Sequence, residues 1–509
     1  MNANLYERLV GSVDHAGRTA IETPDGERHS YLDMVMLSAR IANVLVARGV
    51  KPGDRVAVKV EKSSVALVLY LATLRAGAVY LPLNISYTIA ETEYFLEDAE
   101  PSLVVCDPRE ADAIRIIAAK ISSSVETLDG TGKGSLTEAA SSASPYFASV
   151  QRAPDDLAAI LYTSGTTGRS KGAMLTHDNL LSNAVTLGKE WRFTSNDVLI
   201  HALPIYHTHG LFVASNVTFI ADGTLLLLPK FDADQIVSLM PRATVLMGVP
   251  TFYVRMLQQP QLDHEVVRNI RLFVSGSAPL LAETHREWKA RTGHAILERY
   301  GMTETNMITS NPYQGARVPG AVGLPLPAIS VRITDPDTGS ELPAGEIGMI
   351  EVRGPNVFKG YWRLPEKTAA EFRGDGFFVT GDLGKFDAQG NLHIVGRGKD
   401  LVISGGFNVY PKEVETEIDA IPGVVESAVI GLPDRDFGEA VTAVVIRQAG
   451  VSIDEAEMLK VLRDRLAKFK LPKRVYFVDE LPRNAMGKVQ KNQLRQHFST
   501  VAVAEDQAV

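Results

Sequence analysis

The chain has 509 residues, of which 45% are hydrophobic and 22% are charged, as in an average globular protein. This length predicts two or more domains, and the composition excludes a disordered or collagen-like chain. The formal net charge of −8 argues against a general nucleic-acid-binding protein, which normally presents a basic face.

Short apolar strands alternate with amphipathic helical stretches through most of the first 330 residues. The first two strands, at 55–60 and 77–83, enclose a helix at 64–75. Further strands are predicted at 103–106, 157–162, 198–202, 243–248 and 271–275. This alternation predicts an α/β fold with parallel sheets and helices on their faces.

The pattern changes over 322–395, where short strands separated by Gly, Pro and Asp turns predict an antiparallel, barrel-like subdomain. After residue 396 the sequence predicts a compact α+β unit with a helix over about 454–466. We therefore expect an N-terminal domain over residues 1–396 and a smaller C-terminal domain over 397–509.

The cysteine content and the N-terminus both favour the cytoplasm. The one cysteine, Cys106, excludes an intrachain disulfide, and its place at the end of an apolar strand predicts a buried core thiol rather than a nucleophile. The N-terminus lacks the basic start and apolar run of a signal peptide, and the most apolar stretch, 65–74, is too short to span a bilayer. We expect no binding to nucleic acid or membrane.

A loop of small residues over 161–172 is the most informative segment. It reads Leu-Tyr-Thr-Ser-Gly-Thr-Thr-Gly-Arg-Ser-Lys-Gly, so glycines that permit close backbone approach alternate with hydroxyls and two cations. Such a loop suits a polyphosphate, although Ser170 occupies the place of the second glycine of a Walker A loop. A flexible linker is the alternative, but linkers do not usually lie between a buried strand and a helix, which is predicted here at 179–188. The candidate phosphate-binding residues are Thr163, Ser164, Gly165, Thr166, Thr167, Gly168 and Lys171.

This loop resembles the signature of the adenylate-forming superfamily, which includes acyl-CoA synthetases, luciferases and the adenylation domains of peptide synthetases. The resemblance continues through other motifs in the family's order. It implies a large N-terminal domain of two helix-flanked sheets plus a distorted β-barrel, and a small, mobile C-terminal domain. It also implies ATP and coenzyme A as co-substrates and Mg²⁺ as cofactor.

Two motifs resemble the family's acid pocket. In the run 204–210 the resemblance implies that His207 closes the pocket for the substrate carboxylate. A metal site formed with His201 and His209 is the alternative, but no Cys or carboxylate completes a ligand set. The run 275–279 resembles the loop that lines the acyl pocket and one face of adenine, and its candidate residues are Ser277, Ala278 and Pro279.

The run 298–304, Glu-Arg-Tyr-Gly-Met-Thr-Glu, is a more specific match. The resemblance implies that Tyr300 stacks on adenine and that Thr303 contacts the α-phosphate region. It implies that Glu304 and Thr167 bind Mg²⁺, as hard oxygen ligands do. Met302 is also a candidate for contact with the acid. The remaining candidates for ATP contact in this run are Glu298, Arg299 and Gly301.

The C-terminal motifs complete the resemblance. Asp382 corresponds to the residue that binds the ribose hydroxyls, and Arg397 to the arginine that contacts ribose and phosphate. Lys399 falls at the hinge position, where many relatives have Asp. Lys488 corresponds to the lysine that serves adenylation. The candidates for coenzyme A binding are Lys399, Ser404, Gly405, Gly406 and Tyr410.

Over about residues 1–495 the sequence is similar to bacterial malonyl-CoA synthetases, more closely than to acetate or long-chain enzymes. This implies ATP-dependent ligation of malonate to coenzyme A through a malonyl-adenylate, with His207, Thr303, Glu304 and Lys488 as catalytic residues. A desolvated second carboxylate needs a cationic partner, for which Arg286 joins His207 as a candidate. The other arginine candidates for this contact are Arg255, Arg291 and Arg299.

Several alternatives remain open at this stage. The acid could be methylmalonate-like or a short monocarboxylic acid, or the chain could be a stand-alone adenylation enzyme that loads a carrier protein. A third class is an inactive nucleotide-binding protein, which the joint presence of the motif residues disfavours. Lys488 is also a candidate target for a lysine acyltransferase and deacylase.

Overall fold

The computed structural model describes residues 2–10, 16–163, 170–404, 407–434, 438–466, 468–484 and 487–507. The chain divides into two compact units, the first formed by Met1–Ser330 with Val352–Phe378 and the second by Val331–Glu351 with Val379–Val509. The region predicted as barrel-like is therefore divided about equally between the two units. The sequence-derived boundary at residue 396 and the hinge near Lys399 stay predictions.

The strands of the described residues, in chain order, are β1 (Thr19–Glu22), β2 (Arg28–Ser30), β3 (Arg55–Lys59), β4 (Val79–Pro82), β5 (Leu103–Cys106), β6 (Ser124–Thr127), β7 (Leu157–Thr163), β8 (Lys171–Thr176), β9 (Val198–His201), β10 (Thr224–Leu227), β11 (Val245–Gly248), β12 (Leu272–Ser275), β13 (Leu297–Met302), β14 (Asn306–Ser310), β15 (Leu324–Pro325), β16 (Ser330–Thr334), β17 (Gly348–Arg353), β18 (Gly360–Tyr361), β19 (Phe378–Phe386), β20 (Leu392–Arg397), β21 (Val402–Ser404), β22 (Phe407–Val409), β23 (Val424–Asp434), β24 (Gly438–Arg447) and β25 (Arg474–Val478).

The α-helices of the described residues are α1 (Leu5–Leu9), α2 (Tyr31–Ala47), α3 (Ser64–Arg75), α4 (Ile89–Ala99), α5 (Ala111–Lys120), α6 (Ser135–Ser142), α7 (His177–Glu190), α8 (Asn216–Ile220), α9 (Ala233–Leu239), α10 (Pro250–Leu257), α11 (Ala282–Thr292), α12 (Pro365–Glu371), α13 (Pro411–Asp419), α14 (Glu455–Arg463) and α15 (Lys491–Gln507). Within the described ranges, no helix is both long and apolar enough to span a membrane.

Two helix-flanked sheets form the first unit, as predicted. The larger has nine strands in the order β15-β14-β13-β12-β11-β9-β10-β1-β2, and the smaller has seven in the order β18-β8-β7-β4-β3-β5-β6. The central strands of both are parallel. Such strands are covered on both faces, which explains fully apolar runs such as Leu103–Cys106. Burial raises the pKa of the Cys106 thiol to about 12, which confirms a core thiol.

Local sequence signals set the helix starts. Ser30, Thr88 and Thr176 each form a reciprocal capping box with the third residue of the helix that follows. Helix α3 starts after Ser63, whose side chain accepts a hydrogen bond from the Ala66 amide, and it is buried on nearly all sides between the sheets. That is why its sequence is apolar throughout rather than amphipathic.

The second unit contains the two remaining sheets of the described chain. One has four strands in the order β16-β17-β19-β20, and the other places β22-β21-β24-β23 in a row with β25 paired to β24. Helices α13 and α14 share an apolar core with the second of these sheets, through residues such as Val414, Val441 and Leu462. The small α+β unit that the sequence predicts is thus present.

Candidate active site

The predicted phosphate loop joins two antiparallel strands. Thr163, the last residue of β7, pairs with Lys171, the first residue of β8. The candidates Ser164, Gly165, Thr166, Thr167 and Gly168 lie outside the described residues. The helix predicted at 179–188 is present as α7, and β8, which was not predicted, comes between the loop and this helix. The polar start and short length of β8 made it look like a continuation of the loop.

A chain of polar contacts connects Glu304 to Lys171. Glu304 lies in the turn between β13 and β14, and its carbonyl accepts a hydrogen bond of 2.7 Å from the Phe358 amide. The Tyr361 hydroxyl is 3.1 Å from Oε1 of Glu304 and 2.7 Å from Oε2 of Glu371. Oε1 of Glu371 is 3.2 Å from Nζ of Lys171. The sequence analysis missed Tyr361 and Glu371, which belong to no motif considered there.

Strand β13 carries most of the predicted adenine and phosphate contacts. Tyr300, Met302 and Thr303 are partly exposed, as groups that meet a ligand must be. Only glycine fits at position 301, because a Cβ there would lie 2.0 Å from the Asn306 carbonyl oxygen. The Glu298 carboxylate is buried and accepts a hydrogen bond from the Gly320 amide, so it supports the strand from within.

Buried polar side chains cluster between the histidine motif and the 275–279 loop, and this cluster is the candidate acid pocket. His209 and Ser277 meet there, with Nδ1 and Oγ 3.2 Å apart, and Ser277 has a φ of +72°, a conformation that costs energy in a residue other than glycine. Ala278 and Pro279 follow with partial or full exposure. Burial lowers the pKa of His207 to about 4 and that of His209 far below its ordinary value, so both rings are neutral at pH 7.

Polar atoms of this pocket lack partners among the described residues. Those buried without a hydrogen bond are Nε2 of His207, Oγ1 of Thr208, Nε2 of His209, Oγ of Ser275, and Nε and Nη2 of Arg299. Buried polar atoms are nearly always paired in native proteins, so a cluster of unpaired ones indicates a site for a polar ligand. His207, Arg299 and the run 275–279 were already candidates for the acid pocket from the sequence, whereas Thr208 and His209 were given no role toward the acid.

Arg299 provides the positive charge of this pocket. Its side chain is 3% exposed, and burial lowers the pKa of its guanidinium to about 9. The guanidinium packs so closely over Gly276 that a Cβ at that position would lie 2.4 Å from Cζ. Arg286, by contrast, is exposed on α11 and has no ion pair among the described residues. A buried, unpaired cation attracts an anionic ligand far more strongly than a solvated one.

Lys62 and His201 form a second buried pair, which supports the histidine motif. Nζ of Lys62 donates to Nδ1 and to the carbonyl of His201, at 2.8 and 2.7 Å. Nε2 of His201 then donates to the carbonyl of Gly210 at 2.8 Å. His201 is thus occupied by structural bonds, and within the described ranges no group of three or more His, Cys, Asp or Glu residues is arranged to hold a metal ion.

The second unit carries the predicted ribose and lysine residues. Asp382 and Arg397 are cross-strand neighbours of β19 and β20, and Nε of Arg397 is 2.8 Å from Oδ1 of Asp382. Burial lowers the pKa of Lys488, and Arg397 lowers it further. The residue as a whole is nevertheless exposed to solvent. The Lys488 amide donates to Oδ1 of Asn484, which fixes the turn that carries it.

The predicted hinge and coenzyme A residues lie close to this cluster in sequence. Partial burial, with Arg397 and Lys488 nearby, lowers the pKa of Lys399 to about 8. Ser404 is buried at the end of β21, and Tyr410 precedes α13. The candidates Gly405 and Gly406 lie outside the described residues.

Comparison with known proteins agrees with these motifs. The family described as AMP-binding enzyme matches residues 12–362, and the AMP-binding enzyme C-terminal domain matches residues 413–488. Feruloyl-CoA synthase of an Amycolatopsis species is 38% identical over 477 residues, which cover 93% of this chain and 94% of that protein. Malonate–CoA ligase of Arabidopsis thaliana is 34% identical over 526 residues, which cover 94% of this chain and 86% of that protein.

The structural similarity is stronger still. The crystal structure of ATP-bound MatB from Rhodopseudomonas palustris superposes with a TM-score of 0.97 at 67% identity, and the match covers 98% of this chain and 100% of that one. The chain therefore belongs to the AMP-binding enzyme family and is an acid–thiol ligase of the AMP-forming type.

Proposed function

We propose that this enzyme ligates malonate to coenzyme A in an ATP-dependent reaction that passes through malonyl-adenylate and releases AMP and pyrophosphate. ATP and coenzyme A are the co-substrates of AMP-forming ligases of this kind. Relatives that are malonate–CoA ligases match nearly the whole chain. The observation that carries the choice of acid is the buried, unpaired guanidinium of Arg299 in the polar pocket.

Malonate fits this pocket because it carries two negative charges. One carboxylate must reach the α-phosphate of ATP, and the other must be desolvated inside the protein. Arg299 offers two buried N–H groups, Nε and Nη2, that can donate to it. The neutral ring of His207 and the Ser277 hydroxyl supply further polar contacts. We therefore propose Arg299, in place of the exposed Arg286, as the partner of the distal carboxylate.

Adenylation makes the carboxylate a competent acyl donor, since its own leaving group would be oxide. Its attack on the α-phosphate concentrates negative charge, so the protein's task is positioning and electrostatic stabilisation. We assign this task to Lys488, Thr303 and the loop that ends at Lys171. Tyr300, with Asp382 and Arg397, would hold the nucleoside.

The surroundings of Glu304 fit a magnesium ion. The single Tyr361 hydroxyl proton faces two carboxylates and can be donated to only one of them, and the contact with Glu371 is the shorter. Glu304 and Glu371 thus lie on either side of one hydroxyl, and carboxylate oxygens are ligands that a hard cation prefers. We propose that Glu304, with Thr167, holds Mg²⁺, which would supply positive charge to the phosphates. Lys171 contributes a second positive charge from the protein.

Thioester formation follows at the same carbonyl carbon. We propose that Lys399, Ser404, Gly405, Gly406 and Tyr410 line the path of coenzyme A, and that the backbone near Lys399 is the hinge between residues 1–396 and 397–509. The lowered pKa of Lys488 also makes its amine a candidate acceptor for a regulatory lysine acyltransferase. A reducing compartment such as the cytoplasm suits the buried Cys106.

Other acids are the main competing assignment. The Amycolatopsis relative is a feruloyl-CoA synthase, and ferulate has no second carboxylate to neutralise Arg299. A monocarboxylic substrate would leave the guanidinium buried without a counter-ion. The binding free energy would then include the penalty of an unpaired buried charge. A carrier protein in place of free coenzyme A would leave the acid pocket unchanged, so the two acceptors must be compared directly.

The test is a panel of short mono- and dicarboxylic acids with ATP and coenzyme A, read by thioester mass, on the wild type and two variants. Arg299→Met should lower kcat/KM for malonate by about ten- to a hundred-fold and affect propionate much less, because a charge-assisted pair is lost. Arg286→Ala should leave the preference for malonate unchanged. Equal losses for both acids in Arg299→Met, or loss of preference in Arg286→Ala alone, would remove Arg299 from this role.

A further inference from the structure

The contacts around Tyr361 link two residues with proposed roles, Glu304 and Lys171, that belong to different sequence motifs. Glu304 is the proposed metal ligand, and Lys171 ends the phosphate loop. Between them stand the Tyr361 hydroxyl and the Glu371 carboxylate, each within hydrogen-bond distance of the next group. All four residues belong to the first unit.

The fold brings Tyr361 to this place through main-chain pairing. The two-residue strand β18 is antiparallel to β8, with Tyr361 opposite Ala173, two residues after Lys171. The Tyr361 amide donates to Oγ1 of Thr368 at 2.9 Å, which ties β18 to helix α12. Glu371 is the last residue of that helix. The strand and the helix therefore form one rigid support for both side chains.

The contacts of Tyr361 and Lys171 involve charged side chains that are largely shielded from water. Tyr361 and Glu304 are 3% and 6% exposed, so the hydroxyl–carboxylate contact is nearly dry. Nζ of Lys171 lies 4.0 Å from the centre of the Tyr361 ring, a cation–π arrangement, while its other side meets Glu371. Lys171 is thus held from two directions, by the face of a ring and by a carboxylate.

We propose that Tyr361 and Glu371 are positioning residues that couple metal binding at Glu304 to the placement of Lys171. This inference rests on the proposed nucleotide site. The Tyr361 hydroxyl has one proton for two carboxylates. A cation held by Glu304 would occupy the carboxylate that competes for this hydroxyl, so Tyr361 would donate to Glu371 and fix the orientation of the carboxylate that holds Lys171.

The two residues have separable effects. Tyr361→Phe keeps the ring under Lys171 but removes the hydroxyl, so it breaks the link between the metal site and Glu371. Glu371→Gln keeps an oxygen that accepts from Tyr361 but removes the charge that holds Lys171. Lys367 provides a matched control, because its ammonium also contacts Glu371, at 2.8 Å, from the solvent side of the same helix.

The experiment measures equilibrium binding of a non-hydrolysable ATP analogue to each full-length variant without acid or coenzyme A, while Mg²⁺ is titrated. For Tyr361→Phe we expect the Mg²⁺ concentration at half-maximal binding to rise about ten-fold, as loss of a hydrogen bond to a charged group predicts. For Glu371→Gln we expect the analogue to bind about ten-fold more weakly at saturating Mg²⁺, and the Mg²⁺ midpoint to rise as well, because coupling between two sites is reciprocal. Lys367→Met should match the wild type in both quantities.

The inference is overturned if Tyr361→Phe shows the wild-type Mg²⁺ dependence, or if Lys367→Met and Glu371→Gln have equal effects. Thermal melting of each variant separates a folding defect from a binding defect, and Tyr361→Leu, which also lacks the ring, should weaken binding further. Failure of the wild-type enzyme to bind the analogue with Mg²⁺ would instead refute the proposed nucleotide site. Since no acid is present, the outcome does not depend on which acid the enzyme uses.

Discussion

Gly276 is required by its neighbour rather than by its backbone angles. Its φ is not in the left-handed region, so an alanine could adopt the same conformation. A Cβ, however, would lie 2.4 Å from Cζ and 2.6 Å from Nε of Arg299. The two residues sit on adjacent strand ends, after β12 and within β13. The sequence shows a Ser-Gly-Ser turn, but only the structure shows that an arginine fills the space that glycine leaves.

Gly276→Ala should therefore displace the Arg299 guanidinium and weaken malonate binding. We expect the KM for malonate to rise about ten-fold or more, as the loss of a well-aligned charged pair predicts, with little change in ATP binding without acid. Initial rates at varied malonate and a nucleotide-binding measurement check this. Gly374→Ala is the control, because a Cβ there meets nothing within 4 Å. An unchanged KM for malonate would show that Arg299 does not contact the acid.

The location or role of a single residue could be predicted where it belongs to a motif or an apolar run. It could not be predicted where it depends on a contact with a residue that is distant in sequence. Cys106 was correctly placed in the core because its strand is apolar throughout. Tyr361 was missed because its contact Glu304 is 57 residues away, and the Lys171–Glu371 contact spans 200 residues. Arg286 was preferred over Arg299 because it follows the pocket loop in sequence, whereas the burial on which we base the proposal of Arg299 depends on the fold.

At the scale of elements, the strands and helices that periodicity predicted lie close to their observed bounds. The helix at 64–75 matches α3, and the strands at 103–106 and 198–202 match β5 and β9. Strand β8 was missed since it starts with a lysine and a glycine. Its identity as a strand is decided by pairing with β7 and β18, which no local pattern records.

Helix α13 offers a test of how burial of a carboxylate affects stability. Burial raises the pKa of Asp419 to about 6; Glu415 and Glu426 act in the same direction, while Lys412 and the Ser427 hydroxyl oppose it. The folded state therefore binds more protons than the unfolded state between about pH 4 and 6, and stability falls as pH rises through that range. Above it, the charged side chain destabilises the unit.

Asp419→Asn should raise the free energy of unfolding at pH 8 by about 1–3 kcal/mol, since the amide keeps an acceptor for the Ser427 hydroxyl without the charge. The gain should disappear below about pH 4, where the wild-type carboxyl is protonated in both states. Thermal melts across this pH range check the prediction. Asp337→Asn, at an exposed position of the same unit, should change little. A pH-independent gain in Asp419→Asn would contradict a titration effect.

At the scale of the molecule, the sequence predicted the sheet classes but not the strand order. β1, near the N-terminus, pairs with β10, which starts about two hundred residues later, and β18 closes the edge of the other sheet beyond β8. Such pairings depend on the burial of whole faces, so local patterns do not contain them. The motif residues nevertheless fall at strand ends and turns, such as Glu304 and Lys171, where parallel sheets place their ligands.

Lys488 tests whether the two half-reactions use different residues of the chain. It lies in the second unit near Asp382 and Arg397, the proposed ribose contacts, so its ammonium is suited to the phosphate chemistry of adenylation. Lys488→Ala should lose malonate-dependent ATP–pyrophosphate exchange by about a hundred-fold or more, as the loss of a charge that stabilises the transition state predicts. It should still convert supplied malonyl-adenylate and coenzyme A to the thioester at close to the wild-type rate.

Lys460→Ala, at an exposed position of α14, is the control and should keep both activities. An equal loss of exchange and of thioester formation in Lys488→Ala would mean that the lysine serves both steps or supports the fold, and thermal melting would distinguish these. Retention of exchange would move the adenylation role to another cation. Because supplied malonyl-adenylate bypasses ATP, the thioester assay measures the coenzyme A step without any residue that acts only on adenylation. Loss of ATP–pyrophosphate exchange with thioester formation retained would therefore establish that Lys488 serves only the first half-reaction.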